Sequence, residues 1–178
     1  MNLKRKFGEG KSFDEFLASP EADKELYRLH YERADIRQED CLDDIVQDRS
    51  YVLCLTEPWC GDSLAILPVI SRLVAACGLM ELRILRRDEN LDLMDWYLTK
   101  GGRAVPMFIF LDSAFDEIFH FGPRPAQAQE IFEMHRDALK EGKIEKLEVH
   151  KKIRRFYSGD RGRAIVSEIR GKLQQALR

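Results

Sequence analysis

Glu57-Pro58-Trp59-Cys60-Gly61-Asp62-Ser63-Leu64-Ala65-Ile66-Leu67-Pro68 is the stretch whose reading decides the fold. The apolar run Tyr51–Leu55 just ahead of it predicts a buried strand. From Gly61 onward Leu64, Leu67, Ile70, Leu73 and Val74 recur at helical spacing, which places Cys60 where a strand hands over to a helix. The unpaired amides of a helix N-terminus and the positive end of its dipole favour an anion there, so a thiol in that position is expected to ionise easily and react as thiolate. Trp59 would shield one side of the sulfur without adding charge. The competing reading of Cys60 is a thiol that is merely buried.

At 178 residues, with 44% hydrophobic and 34% charged residues, the chain has the composition of one soluble globular domain with extensions. No segment approaches the ~20 apolar residues of a membrane span, and no apolar segment follows the basic start Met1-Asn2-Leu3-Lys4-Arg5-Lys6. A cytoplasmic location is expected. The four cysteines, Cys41, Cys54, Cys60 and Cys77, share no repeated spacing, so buried thiols plus one reactive thiol are expected rather than a disulfide framework. No Cys/His pair has zinc-ligand spacing, and no metal is expected.

A net charge of −2 conceals an asymmetry. From Lys143 to the end there are eleven Lys/Arg against four Asp/Glu, about +7, which leaves about −9 on the residues before it. The cluster Lys151-Lys152-Ile153-Arg154-Arg155 is the one feature that would suit nucleic acid. A solvated helix face lying against the acidic body accounts for it without a nucleic-acid partner.

Outward from the central stretch, Ser12-Phe13-Asp14-Glu15 has capping-box form and opens a short helix that buries Phe16 and Leu17. Ser19-Pro20 predicts the start of a helix running to about Ile36, with Tyr27 and Tyr31 as packing residues. A third helix is predicted over Gln38–Gln47, with Cys41 on its apolar side. After the helix ending near Cys77-Gly78, with Gly78 as its closing residue, Met80–Leu85 is a second strand, parallel to the first. Asp88 or Asn90 would cap a helix through Leu98 with Trp96 in the core. Val105–Leu111 and Phe115–Phe121 form an antiparallel hairpin about Asp112-Ser113-Ala114. Gly122-Pro123-Arg124-Pro125 is a rigid exit into a helix over 126–141, which Gly142 ends. In the tail a break is expected at Ser158-Gly159-Asp160, ahead of a helix that buries Ile165, Val166, Ile169, Leu173 and Leu177.

The order strand, Trp59-Cys60-Gly61, helix with internal Pro68, strand, helix, Val105-Pro106 hairpin and helix resembles the thioredoxin family over about Leu42 to Gly142. Trp59-Cys60-Gly61 matches the family's redox motif, Pro68 the proline that kinks its active-site helix, and Val105-Pro106 its cis-proline dipeptide. The N-terminal helices, the Cys-Gly-Asp-Ser form and Gly122-Pro123-Arg124-Pro125 resemble a bacterial thioredoxin-like subfamily of monothiol CxxS type. The resemblance implies an α/β thioredoxin fold: a central four-stranded mixed sheet flanked by helices. The whole chain, 1–178, would be one domain, with a helical extension at 1–41, the core at 42–142 and a basic helical extension at 143–178.

It also implies a site. Cys60 would be the nucleophile, and Ser63 would donate a hydrogen bond to its thiolate. Trp59, Gly61, Asp62, Val105, Pro106 and Arg103 would line the substrate position, with the Val105 N–H and C=O pairing to an extended peptide or glutathione. Asp62 would disfavour the thiolate and Arg103, folded over the site, would favour it. Glu57 is expected to be solvated.

Two departures stand out. Ser63 occupies the resolving-cysteine position, and Cys77 lies about 25 Å further along by helical rise, too far to replace it. Cys54 stands where dithiol thioredoxins carry a buried aspartate, and a thiol is a poorer general base. The preferred reading is a monothiol thiol–disulfide oxidoreductase. It needs no cofactor, uses glutathione or bacillithiol as co-substrate, and acts on a protein disulfide or a low-molecular-weight thiol, with neither nucleic acid nor membrane as partner. The alternatives are a redox-inactive thioredoxin-fold interaction module and a glutathione-dependent iron–sulfur cluster binding module.

Overall fold

Strand β1, Ser50–Thr56, lies inside the sheet and is buried on both faces. Its alternation sends Val52 and Cys54 into one apolar cluster and Leu53 and Leu55 into another. The computed structural model describes residues 2–177. Around β1 the sheet runs in the order β2-β1-β3-β4, with β2 Met80–Arg86, β3 Met107–Leu111 and β4 Glu117–Phe121. β1 and β2 are parallel, and the β1–β3 and β3–β4 pairs are antiparallel, giving the expected four-stranded mixed sheet flanked by helices. β4 starts at Glu117 rather than Phe115, because Phe115 adopts φ 68° in the turn and stacks on Tyr51.

Helix α4, Gly61–Ala75, crosses between β1 and β2, with Pro68 inside it. Ala65 through Ile70 are all buried, so tertiary packing holds the helix despite the missing proline N–H. Gly78 does not close it in a left-handed conformation; the cap is Ala76 in right-handed geometry.

The N-terminal extension contributes α1 (Leu3–Glu9), α2 (Phe13–Leu17) and α3 (Lys24–Arg33). The Ser12–Glu15 capping box forms in both directions. α3 starts later than Ser19-Pro20 predicts, because Asp23 caps it by accepting from the Leu26 amide at 3.1 Å. Tyr27 is fully buried against Phe13 and Phe16, and Tyr31 stacks on Phe13. The helix predicted at Gln38–Gln47 is absent apart from a 3₁₀ turn at Gln38–Asp40. Two arginines from the far end of the chain hold the segment instead. Arg163 pairs with Asp40, and Arg170 donates to the Cys41 carbonyl and pairs with Asp44. Cys41 is consequently half-buried rather than part of an apolar helix face.

After β2, helix α5 is one turn, Leu91–Met94. Asn90 ties its start to the Arg86 carbonyl and to the buried Lys6 ammonium (2.9 Å each). Beyond α5, Lys100 and Gly101 (φ 51° and 79°) form a tight turn closed by reciprocal Thr99–Gly102 bonds. Trp96 therefore leaves the helical period and is 69% exposed, not core.

The predicted helix over 126–141 is split into α6 (Ala126–Met134) and α7 (Arg136–Lys140). His135 Nδ1–H donates to the Ile131 carbonyl at 2.8 Å, a side-chain bond that competes with the helical ladder. α8, Lys146–Asp160, runs unbroken through Ser158-Gly159, because Val149, Ile153 and Tyr157 bury one face of it at four-residue spacing. The break falls at Arg161-Gly162, both with positive φ, before α9, Arg163–Ala176. Ile165, Val166, Ile169 and Leu173 are buried as expected, whereas Leu177 is exposed.

α8 packs on α6, and α9 on α4 and β4, so the basic tail is folded onto the core. One close approach is at Gly162, where φ is 89° and an added Cβ would meet Val69 Cγ1 at 2.6 Å. Gly162→Ala is expected to cost about 2 kcal/mol in denaturant unfolding, from the left-handed backbone and the overpacking together. Gly171→Ala, in α9 with open space around it, is expected to stabilise by about 0.5–1 kcal/mol.

Candidate active site

The β1–α4 turn is anchored by a residue that sequence reasoning misplaced. Glu57 is fully buried, not solvated. Its carboxylate accepts from the Asp88 amide (2.9 Å) and from the Arg86 guanidinium (3.1 and 3.2 Å), pinning the turn to the end of β2. Nothing in the spacing of Glu57 and Arg86 announces this pair, which exists only because β1 and β2 are neighbours. The Glu57 carbonyl then accepts from the Cys60 amide, and the Cys60 carbonyl accepts from Leu64 N, so Cys60 sits at the N-cap of α4.

Cys60 is 8% exposed. Its thiol makes no capping bond to α4 and donates to the Val105 carbonyl at 3.3 Å. The Val105–Pro106 peptide bond is cis, and so is Gly122–Pro123. The two proline loops touch: a Cβ on Gly122 would come within 2.3 Å of the Pro106 carbonyl oxygen, so only glycine fits at that crossing. Cys60, Val105 and Pro106 are thus brought together.

Ser63 makes no hydrogen bond to the sulfur. It is fully buried, and its hydroxyl is hydrogen-bonded to the Thr56 hydroxyl. Arg103 does not fold over the site either. It is half-exposed and forms a two-point pair with Asp95 (2.7 and 2.9 Å), holding that carboxyl below its ordinary range. A cation beside Trp59 is Arg87, whose guanidinium lies 5.2 Å from the ring centre and donates to the Arg103 carbonyl. Trp59 is 62% exposed, so it flanks the site without closing it.

Asp62 forms an ion pair with Arg124 at 2.7 Å, where both side chains are only 15% exposed. Tyr157 of α8 donates to the same carboxylate at 3.1 Å. Burial, then the Asp62 charge, hold the Tyr157 hydroxyl well above its usual range, so it remains a donor. Arg124 also lies over the Phe132 ring, 5.0 Å from its centre. Both partners of Asp62 come from segments whose link to the motif the sequence does not reveal.

Cys54 lies fully buried on β1, and burial pushes its thiol well above the ordinary value, so it remains protonated at neutral pH. Cys77, just beyond the end of α4, is pushed up to about 11, again chiefly by burial. Cys54 has no access to solvent, and Cys77 lies at the opposite end of α4 from Cys60. Among the described residues no three His, Cys, Asp or Glu side chains converge as a metal site would require.

A cavity of about 380 Å³ opens beside Cys60, between Trp59–Asp62 and the α8 residues His150, Ile153, Arg154 and Tyr157. A larger space of about 600 Å³, at the β1 start and the β3–β4 turn, is lined by no cysteine and lies at the other end of the strands. The smaller cavity is where chemistry at Cys60 has room to occur.

A family model described as Thioredoxin matches residues 10–140. No curated protein matches the chain. Two solved structures share the fold. The crystal structure of an HIV epitope scaffold has TM-score 0.72 and 15% identity, covering 98% of this chain and 99% of that one. A 1.5 Å crystal structure of a protein of unknown function from Pseudomonas aeruginosa has TM-score 0.62 and 19% identity, covering 91% and 94%. At these identities both speak for the fold alone.

The Asp62–Arg124 pair yields a test. Arg124→Ala leaves a carboxylate unpaired beside Cys60. It is expected to slow alkylation of Cys60 at neutral pH about threefold, the Coulomb effect of one charge several ångströms away in water. It should also cost about 2 kcal/mol of stability, between the exposed and buried limits for ion pairs. Adding Asp62→Asn should restore the alkylation rate, read by mass spectrometry.

Proposed function

The chain belongs to the thioredoxin family, and on that premise we propose that it is a thiol–disulfide oxidoreductase of monothiol type acting through Cys60. The observation that carries this reading is the placement of one thiol. Cys60 stands at the N-terminus of α4, against Val105 at the cis-proline, with a cavity beside it large enough for a second sulfur-bearing group.

The chemistry follows from that placement. While protonated, the sulfur donates to the Val105 carbonyl. On ionisation it gives up that bond and faces the amides of the first turn of α4, which have no intrahelical partners. The thiolate attacks one sulfur of a disulfide, a Cys60 mixed disulfide forms, and the other sulfur leaves as a thiolate that takes up the released proton. The Val105 carbonyl, now free, can accept a hydrogen bond from the bound group. No protein thiol then completes the cycle: Ser63 has no reactive sulfur, Cys54 is sealed in the core, and Cys77 lies beyond the far end of α4. Release falls to an external thiol such as glutathione or bacillithiol, which regenerates the Cys60 thiol and carries the disulfide away.

A redox-inactive interaction module is the second reading, and one observation favours it. Cys60 is almost covered, while Trp59 and Trp96 are largely exposed.

The experiment is the alkylation rate of Cys60 across the neutral pH range, with its adduct with small disulfides followed by intact mass. Faster alkylation in the native protein than in the unfolded chain, with an adduct lost in Cys60→Ser, is the expected result. Equal rates and no adduct would leave the interaction module. Ser63→Cys supplies the missing sulfur and is expected to convert the persistent mixed disulfide into an intramolecular disulfide between Cys60 and the introduced thiol, with release of the small thiol.

A further inference from the structure

The helix that borders Cys60, α8, lies wholly beyond the family-matched stretch, which ends at residue 140. It lays Ile153 and Tyr157, both buried, along one side of the space beside the sulfur, with His150 and Arg154 at its edge. The result is a partly enclosed pocket. Its volume, about 380 Å³, is in the lower part of the range for small-molecule sites. An extended peptide, by contrast, needs a run of free backbone beside the cis-proline.

The charges around the pocket have one sign left over. Asp62 is neutralised by Arg124 and hydrogen-bonded by Tyr157. His150 is held below the ordinary histidine value, first by burial and then by Lys146, so at neutral pH it is an uncharged hydrogen-bonding group. Arg154 makes no ion pair or side-chain hydrogen bond among the described residues, and it lines the pocket. Lys152 and Arg155 are exposed on the same helix but do not line the pocket, and Lys151 is paired with Glu148.

Resting on the oxidoreductase reading, we infer that Cys60 exchanges with the disulfide of a small, carboxylate-bearing thiol, and that Arg154 receives the carboxylate. The Cys60 sulfur bonds to one sulfur of that disulfide, the original S–S bond breaks, and the departing thiolate takes the proton that Cys60 released. The number of disulfides is unchanged, so no outside oxidant is required.

The test compares adduct formation at Cys60 with three probes at low salt: glutathione disulfide, which carries carboxylates, neutral hydroxyethyl disulfide, and cationic cystamine. Each rate is divided by that of the same probe with a free model thiol. Wild-type protein should prefer glutathione disulfide to cystamine by about fivefold, the upper range for one partly solvated ion pair. Arg154→Glu should abolish or reverse the order, whereas Arg155→Glu, an equal change of charge outside the pocket, should leave it. Circular dichroism verifies folding, and Arg154→Gln, expected to level the three probes, replaces Arg154→Glu should that variant not fold. A charge-independent order, equal effects at Arg154 and Arg155, or faster attack on disulfide-bonded insulin would overturn the inference while leaving the oxidoreductase reading intact. Failure of Cys60 to react with every probe, the neutral one included, would overturn both.

Discussion

The ion pair between Asp62 and Arg124 joins three parts of the molecule that the chain keeps far apart. Asp62 belongs to the first turn of α4, Arg124 to the loop after the last strand, and Tyr157, which shares the carboxylate, to the C-terminal extension. Because the pair is largely buried, loss of one partner would strand the other in a poorly solvated place, so the three parts are coupled in position. The same loop touches the other side of the site through Gly122, packed on the Pro106 carbonyl. One short segment therefore sets both the motif and the cis-proline that faces it.

That arrangement changes how the motif should be understood. In isolation, an aspartate two residues after a cysteine would be expected to oppose thiolate formation. Here its charge is compensated by Arg124 and directed into the fold, and the carboxylate works as a structural fastener for α8. The serine in the second motif position is likewise structural: its hydroxyl is paired with Thr56 beneath the first turn of the helix. The proposed chemistry contracts to one sulfur, one carbonyl and one helix terminus, and the space next to them is shaped by an extension outside the family-matched stretch.

The clearest local signals along the chain led to the right structure. The apolar run of β1, the periodic apolar residues of α4, the Ser12–Glu15 box and the hairpin about Asp112 each depend on neighbours a few residues away. Where the reading went wrong, a distant residue had overridden a local preference, or a side chain had competed with the backbone. Arg163 and Arg170 hold Gln38–Gln47 out of a helix, His135 interrupts α6, and the buried face of α8 carries that helix through Ser158-Gly159, so the tail's break falls at Arg161-Gly162. Charged residues were least legible. Glu57, Asp62 and Arg103 each carry a formal charge that suggests solvent or the sulfur, yet each is taken up by a partner that the fold brings near.

The sequence alone determined the order of elements and the position of a single candidate nucleophile between strand and helix, because backbone periodicity and helix termini are properties of contiguous residues. It also determined that no second sulfur follows at the resolving position. Tertiary structure decided what surrounds that nucleophile: the hydrogen bond from Cys60 to Val105, the neutralised Asp62, and α8 with Arg154 at the pocket's edge. Those depend on segments 45 to 95 residues away from their partners being folded together, and no spacing along the chain encodes a distance of that kind.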